Sequence, residues 1–198
     1  TIKLKPGILF HDDPVFKGRK RELTSADYAY SIKRLIDPKL RSPWAWLVEG
    51  KILGLDDLAE AAKKTGKFDY DAKVEGLETP DRYTLRIRLK DTDYNLSYIL
   101  AHEPTSAVAR EVIDAYRDES GRAMANPVGT GPYRLKQWIR SSKIVLEANP
   151  DYRGFTWDFK SDDPDDQPLI AQMKGKKMPQ VGRIEVSIIE EDQARLLA

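Results

Sequence analysis

His11 and His102 are the only two imidazoles in the chain. His11 runs directly into Asp12 and Asp13, and a carboxylate that orients an imidazole is half of a general-base site. The other half is missing from the pattern. There is no cysteine, and no serine stands in a Gly-x-Ser-x-Gly elbow. His11 therefore reads as a surface residue of a polar loop, and His102, beside Glu103 and Pro104, reads the same way. Asp162, Asp163, Asp165 and Asp166 could offer oxygen ligands to Ca²⁺. Pro164 interrupts them, and neither the glycine turn nor the distal glutamate of a Ca²⁺ loop follows. They read as a solvated acidic loop. Gly129-x-Gly131 has Arg134 where a dinucleotide fingerprint needs a third small residue, and strand-like sequence where it needs a helix. Lys17, Arg19, Lys20 and Arg21 form a basic cluster that Asp12, Asp13 and Glu22 offset, again the pattern of a solvated loop.

The aromatic residues are better binding material. Trp44, Trp46, Tyr133, Trp138, Tyr152 and Trp157 stand out in a chain with four tryptophans. Trp44 and Trp46 are two apart, after Asp37-Pro38 and Ser42-Pro43, on a loop rather than in an amphipathic stripe. A loop indole offers wide apolar area with a single donor. Two roles are open for this pair: stacking on a ligand, or plugging the local core. Trp44, Trp46 and Tyr133 are the candidate ligand-contacting residues. No set of residues is a candidate catalytic or metal site.

Composition narrows the function further. The chain has 198 residues, 40% apolar and 33% charged, with a formal net charge of +1. That apolar share supports a folded core. The near-neutral balance gives no general attraction to nucleic acid or an anionic membrane. Without cysteine there is no disulfide framework, zinc-thiolate site or iron–sulfur cluster. No apolar run approaches the ~20 residues of a membrane helix.

Elements must hold these residues. Ile2 and Leu4 alternate with polar residues until Pro6-Gly7, the end of a strand. Thr24-Ser25-Ala26-Asp27 resembles a capping box with Asp in place of Glu or Gln. Tyr28, Ile32, Leu35 and Ile36 then form one helical stripe, and Pro38 disfavours helix at Asp37. An Ala-rich surface helix is expected from Asp56 or Asp57 to Lys64, closed by Gly66. Tyr83, Leu85, Ile87 and Leu89 alternate with Thr84, Arg86 and Arg88, which predicts a strand buried on one face and wet on the other. Short helices are expected at 96–101 and 108–116. Residues 133–139 and 143–148 alternate around Arg140-Ser141-Ser142, a hairpin. A modest helix is expected at about Pro168 to Lys174, and a strand carrying Ile184, Val186 and Ile188. Glu190, Glu191 and Asp192 favour the positive end of a further helix. Both ends run through secondary structure and the chain starts without Met, so a piece of a longer protein is expected. The fold class is α+β, with mixed sheets and peripheral helices.

The order of motifs is specific. Leu23-Thr24-Ser25-Ala26-Asp27-Tyr28-Ala29-Tyr30-Ser31 is followed by Asn126-Pro127-Val128-Gly129-Thr130-Gly131-Pro132-Tyr133, and then by Asn149-Pro150-Asp151-Tyr152. This resembles the family 5 extracellular solute-binding proteins, the dipeptide- and oligopeptide-binding group of ABC importers. The resemblance covers essentially the whole chain. Tyr28 replaces the commoner Val, and the acidic insert Phe155 to Gln167 is longer than the family's spacing. The resemblance implies part of a two-lobe, type II periplasmic-binding architecture. Residues 1–102 would be the small extra domain inserted in the first lobe, and 103–198 an incomplete part of that lobe. It implies a monomer without catalysis or cofactor, periplasmic or tethered outside the cell. Such a protein captures a peptide, or a related small solute, for a membrane permease. In the family's Ser-Pro-aromatic-Ala segment the aromatic residue lines the cleft, which here is Trp44. Two rival readings are an enzyme that uses His11 with carboxylates and a standalone interaction module.

Overall fold

In the computed structural model, which describes residues 1–189, the helix expected after Thr24 runs over Ser25–Leu35 (α1). Its cap is made as the sequence implies. The Asp27 carboxylate accepts from the Thr24 backbone N–H at 2.7 Å and from the Thr24 hydroxyl at 2.9 Å, satisfying a donor that the first turn leaves without a helical partner. Ile32 and Leu35 face inward. The contacts of the chain divide it into two units, Thr1–Gly129 and Thr130–Ala198.

In the first unit, Ile2–Lys3 (β1), Leu77–Asp81 (β2) and Thr84–Ile87 (β3) make an antiparallel sheet in the order β1-β3-β2. The β2–β3 register slips between Glu78 and Asp81, around Pro80, which has no N–H to give the ladder. α1 packs against β2 and β3. Ile32, Leu35, Leu85 and Ile52 share a core with Leu55–Thr65 (α2). This differs from the surface helix expected at 56–64: Leu55 and Ala62 are buried, and Leu58 and Ala59 pack on the same core. The outer face of β3 differs too. Thr84 is buried, with its hydroxyl 2.6 Å from the Lys3 amine and 2.7 Å from the Asp81 carboxylate. Gly76 sits where three backbones converge. Its N–H donates to Leu53 O at 2.7 Å and its own carbonyl accepts from Arg88 N–H at 2.9 Å. A Cβ there would lie 2.5 Å from Leu53 O.

Leu96–Ala101 (α3) and Arg110–Tyr116 (α4) complete this unit. α4 places Val112 in a second core with Phe10, Phe16, Leu23, Ala109 and Val128. Through that packing residues 103–129 close on the segment that carries Phe10, Phe16 and Leu23.

In the second unit, Tyr133–Ile139 (β4) and Lys143–Ala148 (β5) form the expected hairpin, and Arg183–Ser187 (β8) joins as the third antiparallel strand, order β4-β5-β8. Phe155–Thr156 (β6) pairs with Lys177–Met178 (β7), and Gln167–Met173 (α5) lies between them in sequence. The helix expected from Glu190 lies outside the described residues. Among the described residues no helix is long and apolar enough to cross a membrane.

Candidate functional site

The loop after α1 turns outward at Trp44 for a local reason. The Ser42 hydroxyl accepts from the Trp44 N–H at 3.2 Å, and Ala45–Leu47 forms one 3₁₀ turn in which Leu47 N–H donates to Trp44 O at 3.0 Å. Leu47 and Val48 are buried in the α1 core and anchor the turn. Trp44 and Trp46 are left at the surface, 39% and 58% exposed, with ring centroids 6.5 Å apart. At this exposure the pair does not plug the local core, which would be covered.

A residue set aside in the sequence completes the surface. His102, at the C-terminal end of α3, packs on Trp44 with centroids 5.0 Å apart. Its position is fixed from below: the buried Thr105 hydroxyl is 2.8 Å from His102 O and 2.9 Å from Ile99 O. The His102 Nδ1 lies 3.2 Å from a Glu103 carboxylate oxygen, an ion pair when the imidazole is protonated. The pair with Trp44 spans 58 positions of sequence, and no local pattern announces it. The arrangement is an aromatic shelf with one titratable donor, suited to stacking and hydrogen bonding rather than to bond making.

Tyr133 belongs to the second unit, where it opens β4. Its hydroxyl donates to Val181 O at 3.2 Å, so the phenol ties strand to loop. Beside it, Asn149 links the two most specific sequence motifs. Its side-chain amide donates to Gly131 O at 2.9 Å, its backbone N–H donates to Pro132 O at 2.8 Å, and its side-chain oxygen accepts from Asp151 N–H at 3.1 Å. Gly-Thr-Gly-Pro-Tyr and Asn-Pro-Asp-Tyr are thus two halves of one turn assembly, and the glycines do not open a helix.

The other candidates resolve differently from their sequence reading. His11 is buried, not at the surface. Its backbone N–H donates to Gly129 O at 2.9 Å, and Gly129 N–H reaches its Nδ1 at 3.4 Å. The neighbouring acids are engaged elsewhere: Asp12 pairs with Lys20 at 2.7 Å, and Asp13 accepts from Val15 N–H and the Tyr116 hydroxyl. Arg21, expected in a solvated basic loop, instead binds Asp27 at 2.6 Å and Glu111 at 2.5 Å. Burial disfavours the Glu111 charge, but the hydrogen bond and charge of Arg21 outweigh it and hold that carboxyl below its ordinary range. Asp163 caps the 3₁₀ turn at Pro164–Asp166. Among the described residues no group of three or more acidic or histidine side chains could hold a metal ion.

The model of the bacterial extracellular solute-binding proteins, family 5, middle region, matches residues 1–198. The chain belongs to this family. Over 137 residues it is 31% identical to the periplasmic oligopeptide-binding protein OppA of Salmonella typhimurium, covering 69% of this chain and 23% of that protein. It is 26% identical over 172 residues to a dipeptide-binding protein of Lactococcus lactis, covering 85% and 30%. The fold is shared with the peptide-bound OppA of Listeria monocytogenes, with a TM-score of 0.68 at 18% identity over 98% of this chain and 31% of that one. The chain therefore spans about a quarter to a third of the length of these family 5 proteins. Family 5 is a family of solute-binding proteins rather than enzymes.

Proposed function

We propose that this chain is part of the solute-binding component of an ABC importer, working outside the cytoplasmic membrane, in the periplasm of a two-membrane cell. It captures peptides, or a related small solute, in a cleft between lobes and delivers them to a membrane permease. The reading includes no chemistry on the solute and no cofactor. In this reading residues 1–102 serve as the small extra domain and residues 103–198 as part of the first lobe. The observation that carries the proposal is the exposed shelf of Trp44, Trp46 and His102 in a chain of this family. An anchored turn that leaves two indoles at the surface favours a ligand face. Tyr133 is proposed as a further contact from the second unit.

Capture of this kind works by shifting a population from open to closed forms, because ligand bridges both lobes only in the closed one. The test is a tryptophan-fluorescence titration of the full-length protein with di-, tri- and tetrapeptides. Saturable binding is expected, weakened about tenfold in Trp44→Ala, the loss of one stacked aromatic contact. Equal affinity in Trp44→Ala would remove Trp44 from the site. No saturable signal with any peptide would overturn the peptide reading.

A further inference from the structure

A cavity of about 410 Å³ opens beside the aromatic shelf, walled by Leu35, Leu40, Pro43 and Val108 and edged by the guanidinium groups of Arg34 and Arg122. We propose that it is a carboxylate subsite, which takes the acidic group of a solute carried on a short apolar body. The proposal rests on the solute-binding reading and names a chemical feature of the solute.

The volume is in the range of small-molecule pockets, and Pro43 directly precedes Trp44. The charge is the telling part. Arg21 and Arg82 close ion pairs with carboxylates. Arg34 and Arg122 instead use neutral groups: Arg34 donates to Gly121 O at 3.0 Å and to the Tyr30 hydroxyl at 3.5 Å, and Arg122 to Leu40 O at 2.8 Å. Among the described residues neither guanidinium makes a direct ion pair with a carboxylate; the Ser120 hydrogen bond holds the nearby Asp118 carboxyl below its ordinary range, and the Arg122 charge only helps. A guanidinium has five N–H donors in a fixed fork, so these three contacts leave most of the donors uncommitted. Two guanidinium groups beside apolar walls, neither closed by a direct carboxylate contact, complement a carboxylate attached to hydrocarbon, and guanidinium–carboxylate geometry makes that contact bidentate.

Both cations are held in place before any ligand arrives. The Arg34 guanidinium lies over the Tyr30 ring, 5.7 Å from its centroid. Arg122 follows a tight turn in which the Asp118 carboxylate accepts from the Ser120 hydroxyl and the Arg122 backbone N–H. Gly121 in that turn has φ +81°, and a Cβ there would lie 2.7 Å from Leu40. Preorganised charge costs little to bring to a ligand.

The experiment is calorimetric titration of the full-length protein with hexanoate and with hexanamide, which differ in charge but little in shape. Hexanoate should bind saturably and about tenfold more tightly than the amide. Arg122→Met should lower hexanoate to the level of the amide, and Arg122→Lys should keep most of the difference. Should Arg122→Met lose its thermal transition, Arg34→Met gives the same readout from the other wall. Equal binding of acid and amide, no saturable hexanoate binding, or an unchanged preference for the acid in the Met variants overturns the subsite. The two proposals fail separately. Hexanoate binding that persists without peptide binding sinks only the peptide reading, and peptide binding without a preference for the acid sinks only the subsite.

Discussion

Ion pairs in Thr1–Gly129 and in Thr130–Ala198 are made from the same residue types in different surroundings. In the first unit Arg21 reaches Asp27, whose side chain is 4% exposed, and through Asp27 the cap of α1; its other contact, Glu111, is on α4. One side chain thus joins the start of α1 to α4, whose Glu111 lies 90 positions beyond Arg21. In the second unit Arg134 and Lys136 meet Glu147 at 3.6 Å, and Lys143 meets Glu185 at 3.6 Å, all between partly exposed side chains of the β4-β5-β8 sheet. The cores differ in parallel. The first unit buries two apolar clusters. Among the described residues of the second unit, only Val145 and Asn149 are buried. Charge fixes architecture where water is excluded and decorates it where water competes.

Three substitutions test that contrast. Gly76→Ala should have the largest effect, about 3 kcal/mol or more in denaturant unfolding, because the new methyl meets backbone atoms of Leu53 and Arg88 at 2.5–2.7 Å that cannot move aside. A loss under about 1 kcal/mol would mean that the three backbone segments at Gly76 separate easily, against a tightly closed first unit.

Arg21→Met comes next. It strands the buried Asp27 carboxylate, but Arg21 itself is partly exposed, so about 2 kcal/mol is expected, less than for a fully buried pair. The pH dependence carries a sign. Glu111 in the folded protein titrates below its ordinary 4.5, so its stabilisation is fully present above pH 4.5 and is lost as pH falls through the folded value. The wild type should lose this increment in thermal melts taken below pH 4.5, and Arg21→Met should lack it. Parallel pH curves for the two proteins would contradict the pairing. Glu147→Gln should be smallest, under about 0.5 kcal/mol. A larger loss would show that the sheet pairs organise the second unit as Arg21 organises the first.

Local grammar made much of this legible. Thr24, Asp27 and the stripe through Ile32 and Leu35 located α1, and alternation on either side of Arg140-Ser141-Ser142 located the β4–β5 hairpin. α2 was found but misjudged as surface, because Ala59 and Ala62 look neutral in sequence and their burial depends on what packs above them. The loop setting marked Trp44 and Trp46 but left open whether they point in or out. That was decided by Leu47 and Val48, whose burial fixes the turn. His11, Arg21 and His102 were misread for one reason: each is defined by a partner far along the chain, namely Gly129, Glu111 and Trp44. Residue type and spacing carry no record of such a meeting.

The strand order β1-β3-β2 also bears on the sequence of events during folding. β2 and β3 are joined by a tight local turn and can form as soon as both have left the ribosome. β1 cannot: Lys3 meets Thr84, 81 positions away, so β1 waits for the whole intervening segment before it finds a place. Closing so long a loop carries an entropic cost that grows with its logarithm, and non-local pairing of this kind slows folding. β1 is therefore a late arrival, and until it docks, the edge of β3 that it covers remains open to other strands.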